Sequence, residues 1–339
     1  MTRVSLVGLG ATGVAIGSLL AQRADCVIVG GSDIRPEMTG RPLAEFVPGV
    51  AAGITVVADA AELPADTEVA MIATTSSIED VAHTAIGLLA RSINVVSICE
   101  ELAYPWDSHP ATARYLDTIA RTNNVTVLGT GANPGLLMDT LPLLMSSLTR
   151  SVTKVVVRRR TDLSHYNALL SKIGLGLTPA EFEAASARKS VTGHVGFEQA
   201  IGALAAGLNW TLDRIAVHPV AAVLVTRTPR VGEHLTLPPG TVAAVRHAAV
   251  GEMNGEVVID LETVFGFLHP DDPIRVGDSV RIEGAEQNIE MTSNTGFESL
   301  PSTVAVAANV ITAVVKAAPG LLSMSDLRVA DIASKGSVG

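Results

Sequence analysis

The chain has 339 residues, a formal net charge of −10, and 47% hydrophobic but only 3% aromatic residues. That length suits two domains, and the Ala, Val, Leu and Gly-rich make-up is that of an ordinary α/β enzyme. The acidic balance leaves no basic block for nucleic-acid phosphates, and the most apolar helical run, Pro134 to Leu148, carries Asp139 and is too short to cross a bilayer, so neither a nucleic acid nor a membrane is an expected partner.

A short apolar strand, Arg3 to Val7, leads into Gly8-Leu9-Gly10-Ala11-Thr12-Gly13, and a helical run, Thr12 to Gln22, leads out. Gly8 permits a tight turn, Gly10 lets backbone approach a pyrophosphate, and Gly13 lets the helix pack close to the strand. The start of the helix, with Ala11 and Thr12, presents unpaired N–H groups to phosphate. A second apolar strand begins at Cys26 and runs on to Asp33, where an acid would hold an adenosine ribose, and Arg35 follows, suited to a 2′-phosphate. Both together predict NAD(P) binding with NADP favoured. Val69 to Ala73 reads as a strand, with Thr74 at its end, and Ser76 and Glu79 have capping-box spacing before the amphipathic run Val81 to Leu89. Strands at Asn94 to Ile98 and Val125 to Leu128 flank a helix opened by Ser108 and Pro110. This alternation predicts a parallel sheet with helices on both faces. Asn133-Pro134 reads as the N-cap and first residue of a helix, Leu136 to Leu148.

Beyond residue 150 the rhythm changes. Strands are predicted at Ser151 to Arg158, Ala221 to Thr226, Thr241 to Val250, Glu256 to Val264 and Ser279 to Glu283, with an Asn254-Gly255 hairpin turn. Arg158-Arg159-Arg160 reads as a partly solvated strand end. Helices are predicted from the Thr178 to Glu181 capping box to Arg188, from Val195 to Leu208, and from Thr303 to Lys316, stopped by Pro319-Gly320. The expected fold is α/β, an N-terminal Rossmann domain with a second α+β domain on an open mixed sheet. The domains expected are 1–135 for dinucleotide binding, 136–300 for substrate and dimerisation, and 301–339 as a C-terminal helix returning to the first.

Chemistry is expected at strand ends. Glu100 and Glu101 follow an apolar strand, and a partly desolvated carboxylate there would have a raised pKa suited to acid/base work. Gly129 to Gly135 allows close backbone approach, and Asn133 offers an amide where a nicotinamide would lie. The 8 histidines show no metal-ligand spacing, so no metal is expected. Cys26 and Cys99 lie in apolar strands, which predicts buried free thiols, and with no signal-peptide pattern after Met1 the expected compartment is the cytoplasm.

Several motifs in order, Cys99 to Trp106, Gly131 to Pro142, Arg160 to Asp162, Lys172 to Phe182 and Gly193 to Gly196, with Ser302 to Leu327, resemble the 2,4-diaminopentanoate dehydrogenase and native amine dehydrogenase group. The resemblance implies a dihydrodipicolinate-reductase-like architecture, a nicotinamide cofactor, and oxidative deamination of an amine or its reverse, reductive amination of a small ketone or aldehyde with ammonia. By analogy with related oxidoreductases that place a catalytic lysine third in Cys-Glu-Lys-Pro, it points to Glu101 rather than Glu100 as the acid/base group. Asn133 and Pro134 would shape the nicotinamide site, and Tyr104, Trp106, Leu137, Tyr166 and His194 the substrate pocket. The chain departs from the pattern at Leu163 to Ser171, which lacks arginine, and that favours a substrate without a carboxylate. The alternatives are 2,4-diaminopentanoate dehydrogenase itself and a non-catalytic NADP-sensing protein, against which the paired glutamates speak. An open sheet in the second domain, with no element left to cover it, predicts a homodimer.

Overall fold

The structure is a computed structural model, and it describes residues 1–165, 172–233 and 235–328. The chain divides into two compact units, Met1–Thr140 with the segment from Ser299 onward, and Leu141–Glu298.

The first unit is built on β1 (Thr2–Val7), β2 (Cys26–Ser32), β3 (Val56–Val57), β4 (Val69–Ile72), β5 (Asn94–Ser97) and β6 (Thr126–Gly129). With the later β16 (Gly320–Leu322) they form a 7-stranded sheet in the order β16-β6-β5-β4-β1-β2-β3. Every pairing in it is parallel. Strands buried on both faces need helices on both. Ile16 and Leu20 of α1 (Ala11–Ala21) and Val310 and Ile311 of α7 (Ser299–Val314) pack under Val4, Leu6 and Val96. Val81 and Leu88 of α2 (Ile78–Ala90) and Leu116 of α3 (Pro110–Thr122) cover Ala70, Ile72 and Val95 on the other side. Each fully buried Leu, Ile or Val contributes about 1.5–3 kcal/mol. The buried Arg23 ties the end of α1 to α7 by donating from Nη1 to Asn309 Oδ1 at 2.8 Å. The parallel sheet and the order of its helices agree with the sequence reading. The segment after Pro319, read only as a helix stop, instead adds β16 beside β6.

Two local expectations need correction. The cap of α2 is Ser77, whose Oγ accepts from Asp80 N–H at 3.4 Å, rather than Ser76. Asn133-Pro134 does not open a helix. Its peptide bond is cis, Gly135 has φ +123°, and residues 131–139 run as turns, so that α4 is only Thr140–Ser146. The buried Asp139 carboxylate holds these turns, accepting from Gly135 N–H at 2.6 Å and from Thr140 N–H, while Leu137 N–H donates to Ala132 O at 2.8 Å. Amides committed to turn bonds cannot join a helical ladder.

The second unit is a 7-stranded mixed sheet around β7 (Val152–Asp162). β8 (Arg214–Val217) and β9 (Ala221–Val225) pair with β12 (Val242–Met253), the Asn254-Gly255 turn returns β12 to β13 (Glu256–Gly266), β13 runs parallel to β7, and β14 (Gly277–Gly284) and β15 (Ile289–Ser293) complete the other edge. A separate ribbon joins β10 (Arg230–Val231) and β11 (Thr236–Leu237). The helices α5 (Pro179–Ala187), with its Thr178/Glu181 capping box, and α6 (Phe197–Gly207) pack against β9 and against β8 and β12. Alternation along β7 buries Val155, Val157, Arg159 and Thr161 and leaves Lys154, Val156, Arg158 and Arg160 half-buried. The triple-arginine segment therefore lies within β7 rather than ending it, half-buried at Arg158 and Arg160. Arg159 is buried, its Nε donating to Asp278 at 3.3 Å and its Nη2 to Phe297 O at 2.7 Å. On the opposite face Arg158 pairs with Asp260 at 2.6 Å and Arg246 with Glu262 at 3.7 Å. Among the described residues no helix is long and apolar enough to cross a membrane.

Asp139→Ala leaves the Gly135 and Thr140 amides without that acceptor in a buried turn, so urea unfolding should show a loss of about 2–4 kcal/mol. An unchanged midpoint would mean that the turns hold themselves.

Candidate functional site

Each glycine of the first turn has a separate physical job. Gly8 has φ +88°, and a Cβ there would lie 2.7 Å from Ala73 O. A Cβ on Gly13 would lie 2.1 Å from Gly8 O, so the first turn of α1 rests directly on the end of β1. Gly10 faces open space, and as N-cap of α1 it makes no side-chain bond. The first amides of α1, at Ala11, Thr12 and Gly13, have no carbonyl within the helix, so they and the helix dipole are directed at any anion placed there.

This turn opens onto a cavity of about 820 Å³ in the first unit, lined among others by Gly8, Gly10, Asp33, Arg35 and Thr74. Asp33 accepts from Leu9 N–H at 2.7 Å and pairs with Arg35 at 2.8 Å; the Arg35 guanidinium and this amide bring the carboxyl down to about 2. The open space at Gly10, the uncapped helix start and the cationic Arg35 over the end of β2 fit the pyrophosphate and ribose end of a dinucleotide. Sequence reading missed part of the lining, Asp59, Ala60 and Ala61 and His83, Thr84 and Gly87 of α2. The one available signal was Gly87, a helix-interior glycine whose added Cβ would touch nothing.

A second group stands at the carboxyl ends of β5 and β6. These ends are adjacent: a Cβ on Gly129 would lie 2.3 Å from the carbonyl carbon of Leu102. Glu100 and Glu101 occupy a single helical turn, Glu100–Leu102, and the structure separates them. Glu101 is anchored, accepting the first amide of α2, Ile78 N–H, at 2.9 Å, with His109 Nε2 at 3.9 Å. Glu100 is the desolvated one: burial pushes its carboxyl above the ordinary value, against a hydrogen bond to Ser76 that works to lower it. The desolvation expected of Glu101 thus falls on Glu100. Cys99 Sγ donates to Ser76 O at 3.0 Å, and burial pushes its thiol up to about 12, leaving it an inert free thiol like Cys26. Tyr104 and Trp106 follow in the same loop, both half-buried, Trp106 against the α2–α3 core. Asn133, Pro134 and Leu137 lie in the turns leaving β6, with Pro134 and Leu137 buried and Ala132 N–H bonded to Thr303 Oγ1 of α7 at 3.2 Å.

His194 belongs to the second unit. Its backbone N–H donates to His247 Nδ1 at 2.8 Å, and its ring meets Phe197 edge-on at 4.7 Å. Burial, with Arg159 and His247 nearby, pushes His194 down to about 3, so it is neutral at physiological pH. A Cβ on Gly193 would lie 2.2 Å from His247 Nδ1, which explains the glycine before His194. Tyr166 lies outside the described residues. No group of three or more His, Cys, Asp or Glu among the described residues is arranged to hold a metal.

Residues 136–337 match the 2,4-diaminopentanoate dehydrogenase C-terminal domain family. A 2,4-diaminopentanoate dehydrogenase of Acetoanaerobium sticklandii is 30% identical over 96% of this chain and 93% of its own. The chain belongs to the 2,4-diaminopentanoate dehydrogenase family. As a member it is an oxidoreductase, in agreement with the resemblance read from the motifs. Among solved structures, amine dehydrogenase from Mycobacterium smegmatis shares the fold with a TM-score of 0.81 and 23% identity, covering 96% of both chains. A Synechocystis biliverdin reductase, solved with biliverdin and NADP+, gives a TM-score of 0.54 at 12% identity over 96% of this chain and 94% of its own.

A carboxyl whose pKa is raised on folding holds its proton more tightly in the folded chain. Its stabilising contribution is full below the ordinary value of 4.5 and is lost as pH rises through the folded value. Glu100→Gln should therefore melt higher than the unsubstituted protein at pH 7.5, with the difference closing toward pH 4. A difference independent of pH would mean that Glu100 is not desolvated.

Proposed function

We propose that this protein is an NAD(P)-dependent amine dehydrogenase, favouring NADP, that reversibly aminates small ketones or aldehydes with ammonia. The observation that carries this reading is the pair of carboxylates in the turn after β5, beside the exit of β6, with Glu101 anchored on the start of α2 and Glu100 free of that helix. The first unit would bind the dinucleotide at Gly8, Gly10, Ala11, Thr12, Gly13, Asp33, Arg35 and Thr74, and residues from 136 to 300 would contribute substrate contacts and a dimer interface.

A bound reduced nicotinamide supplies the hydride. Glu100 takes a proton from ammonium, freeing ammonia to add to the carbonyl carbon. It returns that proton to the departing hydroxyl, so that water leaves, and its carboxylate then faces the iminium cation that accepts the hydride to give the amine. A carboxylate in a dry setting serves both steps, because it is readily reprotonated and attracts positive charge strongly when unscreened. Glu101, held by Ile78 N–H, keeps the turn in place. Tyr104 and Trp106 exclude water, Asn133 and Pro134 shape the nicotinamide site, and Leu137 contributes to the substrate pocket. The stretch Leu163 to Ser171 has no arginine or lysine, and an unpaired substrate carboxylate would be costly to bury there. A second reading, 2,4-diaminopentanoate dehydrogenase activity, is favoured by the 30% identical relative of that name.

A carbonyl panel with ammonia and NADPH separates them. Simple ketones and aldehydes should be aminated and α-keto acids should be poor substrates; a preference for 2-amino-4-oxopentanoate by orders of magnitude would establish the second reading. Glu100→Gln should lower amination kcat by about 10²–10⁴ with NADPH affinity unchanged, and Glu101→Gln should be milder. The reverse ranking would exchange the two roles, and full activity in both would end the carboxylate mechanism. Light scattering at micromolar concentration should give the mass of a dimer, and a monomer mass would remove the dimer interface.

A further inference from the structure

Asp33 stands where an acid would accept the ribose hydroxyls of NAD, but its carboxylate is already engaged on every side. Oδ2 accepts from Leu9 N–H at 2.7 Å and from Arg35 Nη2 at 2.9 Å. Oδ1 accepts from Arg35 N–H at 3.0 Å and from Arg35 Nε at 2.8 Å. A carboxylate offers about four acceptor positions, and all are used. Arg35 Nη2 also donates to Leu9 O at 2.9 Å, so the guanidinium is strapped to the phosphate turn as well as to the acid. Its Nη1 has no partner among the described residues, and the Arg35 side chain is 45% exposed while that of Asp33 is 7% exposed. Both line the cavity that Gly8 and Gly10 open onto. The other charged or titratable groups in that lining are Asp59, whose carboxylate accepts Ala61 N–H at 2.9 Å, and His83.

We propose that Asp33 is a positioning residue, not a ribose acceptor: it clamps Arg35 across the phosphate turn, so that the protein is preset to take the 2′-phosphate of a phosphorylated dinucleotide. The inference rests on the cofactor reading above. With the clamp closed, Nη1 is left as an unused donor on a half-exposed side chain that lines the cavity. A fork held by two fixed anchors loses little freedom when it meets a phosphate. A ribose carrying a free 2′-OH gains nothing from this arrangement, because its hydroxyl reaches Asp33 only after Arg35 has been displaced. NAD binding therefore carries the cost of opening a bidentate ion pair, and NADP binding does not.

The test is binding, read by calorimetry with NADPH, NADH, 2′,5′-ADP and 5′-ADP on the full chain. The unsubstituted protein should bind NADPH over NADH and 2′,5′-ADP over 5′-ADP. Arg35→Ala should weaken NADPH and 2′,5′-ADP by about 10- to 100-fold, the range for a charge-assisted hydrogen bond, and leave NADH unchanged or tighter, since Asp33 is released to the ribose. Asp33→Ala and Asp33→Asn should also weaken NADPH and should harm NADH no more than NADPH. Arg35→Ala alone decides the ranking if the Asp33 variants fold poorly. If Asp33→Ala abolishes NADH binding and spares NADPH, or if Arg35→Ala affects both dinucleotides equally, the clamp is overturned. Binding of neither dinucleotide by the unsubstituted protein would overturn the cofactor reading and the clamp with it.

Discussion

The contact between Gly13 and the carbonyl of Gly8 governs much of the first unit. No side chain fits there: a single added carbon would sit 2.1 Å from an oxygen. Because none is present, α1 starts directly on the end of β1, and its unpaired amides open at the carboxyl end of the strands. The same seating brings Leu9 beside the end of β2, where its amide and carbonyl hold Asp33 and Arg35. A phosphate turn, a helix dipole and an ion pair are thus coupled through one close backbone approach.

A comparable economy operates at the end of β5. Two adjacent glutamates share one short turn, and their partners differ. Glu101 accepts the first amide of α2, Ile78 N–H, at the positive end of that helix. Glu100 accepts no such helix amide, and partial burial disfavours its charged form. The nearby contact of Gly129 with Leu102 brings the exit of β6 alongside, so the cis Asn133-Pro134 segment and the glutamate turn lie at neighbouring strand ends.

The elements were largely legible in the sequence where one local rule decided them. Gly8, Gly10 and Gly13 announced the turn, Thr178 and Glu181 the start of α5, and Asn254-Gly255 the hairpin between β12 and β13. Readings failed where a distant partner took the backbone. Ser76 and Glu79 have the spacing of a cap, but the first amide of α2 goes to Glu101. Asn133-Pro134 looked like a helix start, but Asp139 reaches back to Gly135 and keeps the segment in turns. Gly320 to Leu322 gave no strand signal beyond a proline stop, because β16 exists only by pairing with β6.

The sequence by itself determined the fold class, the phosphate turn and the presence of carboxylates at a strand end, because these depend on residue type, spacing and alternation along the chain. Tertiary structure alone decided which glutamate is desolvated, that Arg159 is buried against Asp278 while Arg158 lies on the other face, and that Asp33 is occupied by Arg35. Burial and ion pairing depend on what the chain brings up from far away, and a local pattern records the capacity of a side chain but not its neighbours.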